Sequence, residues 1–82
     1  MVYGEYLIWA KKVQDRGEKA YGELGATPSP TRLSGARGAL AEVKLALELA
    51  DKVEMTKEAR SNLREFLREL EGLRNRLEEK TR

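Results

Sequence analysis

The sequence contains no cysteine and no histidine, and these two absences exclude most of the common kinds of chemical site. Without cysteine there is no disulfide framework and no thiolate metal centre. Without histidine the chain lacks the commonest general base, the commonest metal ligand and the usual pH switch near neutrality. We therefore expect a protein that is not an enzyme, binds no metal and needs no cofactor.

Long hydrophobic runs are also missing. No apolar stretch approaches the roughly 18 residues that a membrane-spanning helix requires. The opening residues, 1–5, carry no basic side chain of the kind that begins a secretory signal peptide. Because a cysteine-free chain also suits a reducing compartment, we expect a cytoplasmic protein without a membrane partner.

Charge of one sign does not dominate, since 16 basic residues face 14 acidic ones. The two signs balance over residues 1–55, and only residues 56–82 lean positive, by eight to six. A dedicated nucleic-acid binder usually shows a stronger basic cluster. The charged fraction of 37% is common in thermophilic proteins, but it is equally typical of helical proteins, so it does not decide between the two.

The chain divides into three helical segments. Both prolines lie in the stretch 25–30, where Ser29 suits a helix N-cap and Pro30 suits the first helical position. A softer break at 51–55 precedes Thr56, a second N-cap candidate. The pattern predicts one all-α domain, 1–82, with helices at about 2–24, 30–52 and 57–80.

These segments have nearly equal lengths, on the order of 35 Å each at about 1.5 Å per residue. Equal helices with short connections are typical of an antiparallel three-helix bundle. A helical hairpin with a separate N-terminal helix is the alternative arrangement. We expect either form to self-associate, because the second segment is apolar on more sides than one bundle can cover.

The first and third segments each have one clear apolar face. Four of the five aromatic residues fall on the first, where Trp9 lies at the edge of the face as a candidate interface anchor and Ile8 alone falls on the polar side. On the third, apolar residues step by four and three, as in a coiled-coil seam. The seam comprises Ala59, Leu63, Phe66, Leu70, Leu73 and Leu77, with Leu67 beside it.

The second segment is apolar nearly all round, which a helix in a lone three-helix bundle does not need. Leu45 and Leu49 lie off its main apolar face, and we expect neither to find a partner within the chain. The hypothesis is that they form part of a two-fold dimer interface. Coverage by another protein, or by a splayed first helix, would also account for them. The candidate interface residues are Ile8, Trp9, Ala41, Glu42, Leu45 and Leu49.

Gly35 and Gly38 lie early in the second segment. No strand precedes them, so they do not match a phosphate-binding loop. They indicate either a loosely formed helix or the close approach of another helix.

Arg60, Arg64 and Arg68 line one side of the third segment, with Lys57 a turn earlier. Such a row could follow a nucleic-acid backbone. The simpler interpretation, which we favour, is a solvated face that nearby glutamates such as Glu65 and Glu69 neutralise.

The sequence thus predicts a small non-enzymatic helical protein that acts through protein–protein contacts, as an adaptor, inhibitor or assembly subunit. Its expected partner is a second copy of itself, and another protein is the next candidate. The alternative is an accessory protein that binds the nucleic-acid backbone through the arginine row.

Overall fold

Three α-helices account for most of the chain in the structure, a computed structural model that describes residues 1–82. Helix α1 spans Tyr3–Ala26, α2 spans Pro30–Ala50 and α3 spans Lys57–Thr81. Each begins within one residue of its predicted start and ends within two residues of its predicted end. None of the three combines the length and the apolar composition that crossing a lipid bilayer requires. The all-α prediction is confirmed.

Side chains fix where α2 and α3 begin. The Ser29 hydroxyl accepts a hydrogen bond of 3.2 Å from the backbone N–H of Arg32, and Pro30 follows it in the first turn. The Thr56 hydroxyl accepts a bond of 3.0 Å from the backbone N–H of Ala59. Each bond satisfies a donor that the first turn of a helix leaves unpaired. Both predicted N-caps are therefore confirmed.

The start of α1 is held differently, because no side chain caps it. Val2 instead forms an isolated parallel β-bridge with Glu54, in the connection between α2 and α3. This bridge ties the start of α1 to the segment that leads into α3.

Two contacts show that α1 and α2 run antiparallel. The Arg16 guanidinium binds the Glu42 carboxylate, and the Tyr6 hydroxyl reaches the carbonyl oxygen of Ala46. The earlier residue of α1 thus meets the later residue of α2.

The contacts between α1 and α3 follow the opposite order. Gln14 donates to Glu69, and Arg76 pairs with Glu18. Because both residue numbers rise together, α1 and α3 are parallel. The arrangement is therefore the predicted up-down-up three-helix bundle.

The core is built from all three helices and is rich in small side chains. Alanines on α1 and α2 let the two helices approach closely, while leucines of the predicted seam on α3 fill the space above them. Phe66, placed mid-seam from the sequence, is only partly buried. The side chains with at most 1% exposure are Tyr6, Ala10, Val13, Ala36, Val43, Ala46, Leu70, Leu73 and Leu77.

Tyr6 is the one core residue with a hydroxyl group. It is fully buried and donates a hydrogen bond of 2.6 Å to the carbonyl oxygen of Ala46. Burial, and secondarily the negative charge of Asp51, raise the pKa of Tyr6 to about 12. The hydroxyl therefore keeps its proton, and its bond between α1 and α2, well above neutral pH.

Gly17 of α1 lies where side chains of α2 and α3 both pack against the α1 backbone. A Cβ atom at this position would lie 2.7 Å from Cδ2 of Leu73 on α3 and 3.4 Å from Cγ2 of Val43 on α2. The first distance is shorter than carbon atoms tolerate, and both neighbours are fully buried. The close packing of α3 on α1 thus depends on the missing side chain.

We expect Leu70→Ala to lower the free energy of unfolding by about 2–5 kcal/mol, because it leaves a cavity in the core. Arg68→Ala, on the exposed side of the same helix, should change it by no more than about 0.5 kcal/mol. Circular-dichroism melts of the two variants measure the difference. Equal shifts in melting temperature would contradict the core position of Leu70.

Two glycine substitutions on α1 test the packing at Gly17. Gly22→Ala should raise the free energy of unfolding by about 0.5–1 kcal/mol, because alanine favours the helix and a Cβ at Gly22 meets nothing within 4 Å. The free energy of unfolding of Gly17→Ala should be about 1–3 kcal/mol lower than that of Gly22→Ala, because the added Cβ overpacks the core. Denaturant titrations compare them. Equal stabilisation by both alanines would show that Leu73 moves aside freely.

Candidate interaction surfaces

Four uncharged residues share the side of α2 that points away from the core, and we call them the α2 outer face: Ser34, Gly38, Ala41 and Leu45. At about 100° per residue they fall within an arc of about 60°. All four are exposed, and Leu45 keeps 44% of its accessible surface. Solvent-facing sides of helices are normally polar, so this face is unusual for a free surface.

Two glycines, Gly35 and Gly38, lie in the first half of α2, where no close contact within the chain requires them. A Cβ atom at Gly35 or Gly38 would meet nothing within 4 Å. Glycine inside a helix costs about 0.5–1 kcal/mol relative to alanine. No other part of this chain comes close enough to require it. If these glycines serve close helix packing, the approaching helix belongs to another molecule.

Leu49 behaves differently from Leu45. It is half-buried and packs against the core, so the prediction that it lacks a partner within the chain is wrong. The other helices cover its flank of α2, whereas Leu45 lies farther round the helix. Of the two leucines, only Leu45 lacks a packing partner within the chain, as predicted.

The remaining predicted interface residues do not form one continuous surface with Leu45. Trp9 is half-buried against the core, and its ring centroid lies 6.0 Å from that of Tyr6. Ile8 is 62% exposed, on the polar side of α1 as the sequence indicates. Ala41 is exposed and belongs to the α2 outer face.

Glu42 has a partner on the neighbouring helix. Its two carboxylate oxygens accept bonds of 2.7 and 3.2 Å from Nη2 and Nε of Arg16, in a forked pair. The side chains of Glu42 and Arg16 are 40% and 51% exposed, respectively. An exposed pair of this kind contributes about 0.2–1 kcal/mol. Glu42 therefore links α1 to α2 at the surface and is not a buried, unpaired charge.

A groove of about 640 Å³ runs between α1 and α2 beside the α2 outer face. Its walls carry charges of both signs, and the two mid-helix glycines lie along one side. Sequence reasoning missed this groove, because no pattern within one helix shows which neighbour it packs against. The lining residues are Arg16, Lys19, Ala20, Glu23, Thr31, Arg32, Gly35, Gly38, Ala39 and Glu42.

The predicted arginine row does form one surface, which we call the arginine face: Arg60, Arg64 and Arg68. The three side chains line an open depression of about 310 Å³ together with Leu67 and Glu71. Leu67 packs partly against the core and is the only hydrophobic residue that lines the depression. Lys57 is exposed but does not line it.

Neighbouring glutamates neutralise this face only in part. Arg68 lies 3.6 Å from Glu65, whereas Arg60 and Arg64 have no carboxylate oxygen within 4.0 Å. Glu69 accepts a hydrogen bond from Gln14 on α1 instead. Two of the three guanidinium groups are therefore free to bind an anion.

The two surfaces differ in their chemistry. The α2 outer face presents apolar contact at close range, and the arginine face presents fixed positive charge. Acidic side chains nowhere gather in a group of three or more that could hold a metal ion. Comparison with known proteins adds no further assignment: no protein-family model matches the sequence, and no curated protein and no solved structure matches the chain.

Proposed function

We propose that this protein is a non-enzymatic interaction module that assembles with a second copy of itself through the α2 outer face. The observation that carries the proposal is the exposed Leu45 on an uncharged arc of α2 that also includes Gly38, where a Cβ atom would meet nothing within 4 Å. Apolar surface of this kind is stabilised when a partner removes it from water.

The pattern of side chains on α2 supports a second copy as the occupant. In a two-fold antiparallel pair of α2 helices, each flank of one helix meets the same flank of the other. Arg37 and Glu48 lie on one flank, 11 residues apart. Suppose that Arg37 of the first copy lies opposite Glu48 of the second. Leu45 of the second copy then lies level with the space between Gly38 and Ala41 of the first.

One register therefore satisfies two independent requirements. A large apolar side chain packs where the facing helix has its smallest residues, and opposite charges meet at both ends of the contact. Arg37 and Glu48 are available for it, since Arg37 makes only a 3.5 Å bond to the carbonyl of Thr81 and Glu48 lies 3.8 Å from Lys52.

We expect Leu45→Lys to abolish self-association while the monomer stays folded. A lysine there places a charge in the apolar contact, and Leu45 is not part of the monomer core. Asn62→Lys is the matched control, because it adds the same residue at an exposed position of α3. Light scattering across a concentration series measures the molar mass of the protein in solution, and so its oligomeric state. A wild-type protein that stays monomeric at millimolar concentration would refute the proposal.

Gly38→Leu tests the close approach of the two helices independently of charge. A Cβ atom at Gly38 meets nothing within 4 Å in the monomer, so we expect the fold to be kept, whereas the larger side chain separates the two α2 helices in the dimer. Gly72→Leu on α3 is the control, since that glycine is equally unobstructed and exposed. Analytical ultracentrifugation should show weaker association for Gly38→Leu alone. Equal association of both variants would exclude Gly38 from the interface.

A further inference from the structure

The net charge of the protein is concentrated at one place on its surface. Residues 57–68, the first half of α3, carry four basic and two acidic side chains. The rest of the chain holds twelve of each sign, so this half-helix alone accounts for the net charge of +2. The arginine face makes up three of its four basic residues.

This placement of charge works against the helix that carries it. Cations are unfavourable in the first turn of a helix, where the backbone dipole is positive, and Lys57 and Arg60 lie there beside a single carboxylate, Glu58. Like charges four residues apart also repel one another. Arg60 and Arg64 form such a pair, and neither has a carboxylate partner that would offset the cost. A bound anion would offset the repulsion between Arg60 and Arg64, which no ion pair within the chain relieves.

The geometry of the arginine face selects the class of anion. The three arginines follow one another at a rise of about 6 Å along the helix axis, so as a row they suit an anion whose charge repeats along a line. Guanidinium groups bind phosphate oxygens through paired N–H donors. Leu67, on the floor of the depression, adds apolar surface for a sugar or a base edge.

We propose that the arginine face binds the phosphodiester backbone of a nucleic acid, without reading its sequence. The contact uses Arg60, Arg64 and Arg68, with Lys57 as the flanking charge. Phosphate contacts position a protein on nucleic acid but carry no sequence information. The site lies on α3 and is separate from the α2 outer face. A test of nucleic-acid binding is therefore independent of whether the protein self-associates.

Fluorescence anisotropy with a labelled single-stranded DNA and a labelled duplex tests this directly. Four phosphate contacts predict that affinity falls about 50-fold for the single strand and about 150-fold for the duplex between 50 and 200 mM salt. Arg60→Ala with Arg64→Ala should weaken binding at least tenfold and roughly halve the salt dependence. Circular dichroism checks the fold, and Arg60→Gln with Arg64→Gln replaces the pair if alanine alters it.

The matched control removes the same charge elsewhere. Lys11→Ala with Lys12→Ala deletes two exposed, unpaired cations from α1 and should leave binding within about threefold of the wild type if phosphate contacts are confined to α3. Equal losses in the two double variants would overturn the proposal in favour of diffuse charge attraction. Absence of binding at 50 mM salt would also overturn it. Equal competition by poly-glutamate at matched charge would instead assign the face to an acidic protein.

Discussion

The bundle depends on one close approach, the contact of Leu73 and Val43 with the backbone of α1 at Gly17. Cδ2 of Leu73 lies only 2.7 Å from the position that a Cβ atom would take, and Cγ2 of Val43 lies at contact distance from it, 3.4 Å. Ala10 on α1 and Ala46 on α2 are also fully buried, and their small side chains let the two helices approach each other. In a chain with few large core residues, short distances between backbones replace bulk as the means of excluding water.

This tight packing also explains the unusual composition of α2. Its inner side is mostly alanine and valine because two helices press on it, and its flanks hold the leucines that close the edges of the core. Leu49 belongs to such a flank. Leu45 lies beyond the reach of either neighbour and is exposed. The excess of apolar residues on α2 is thus mostly internal packing, and only one arc of the helix is left uncovered.

The features that could be predicted from the sequence are those that a single helix encodes. Helix bounds follow from local signals, since Ser29, Pro30 and Thr56 act within one turn of the residues they cap. The exposure of Ile8, the buried leucines of α3 and the arginine face follow from the helical period, which fixes the residues that share a side.

What the sequence could not provide depends on how far each helix rotates toward its neighbours. A rotation of about 40° decides whether Leu49 is covered and Leu45 is not, and no pattern within α2 sets that angle. The forked pair of Arg16 and Glu42 likewise joins residues 26 positions apart, so it exists only once α1 and α2 have packed. The groove beside them has the same origin.

The up-down-up order has a mechanical consequence. With three helices, Met1 and Arg82 emerge at opposite ends of a body 42 Å long. A pulling force applied between the two termini would load the helices lengthwise, so that they must slide past one another in shear. Leu73 would then have to leave the close contact that it makes at Gly17. The bundle should therefore resist extension along its axis better than it resists the peeling of one helix from its side.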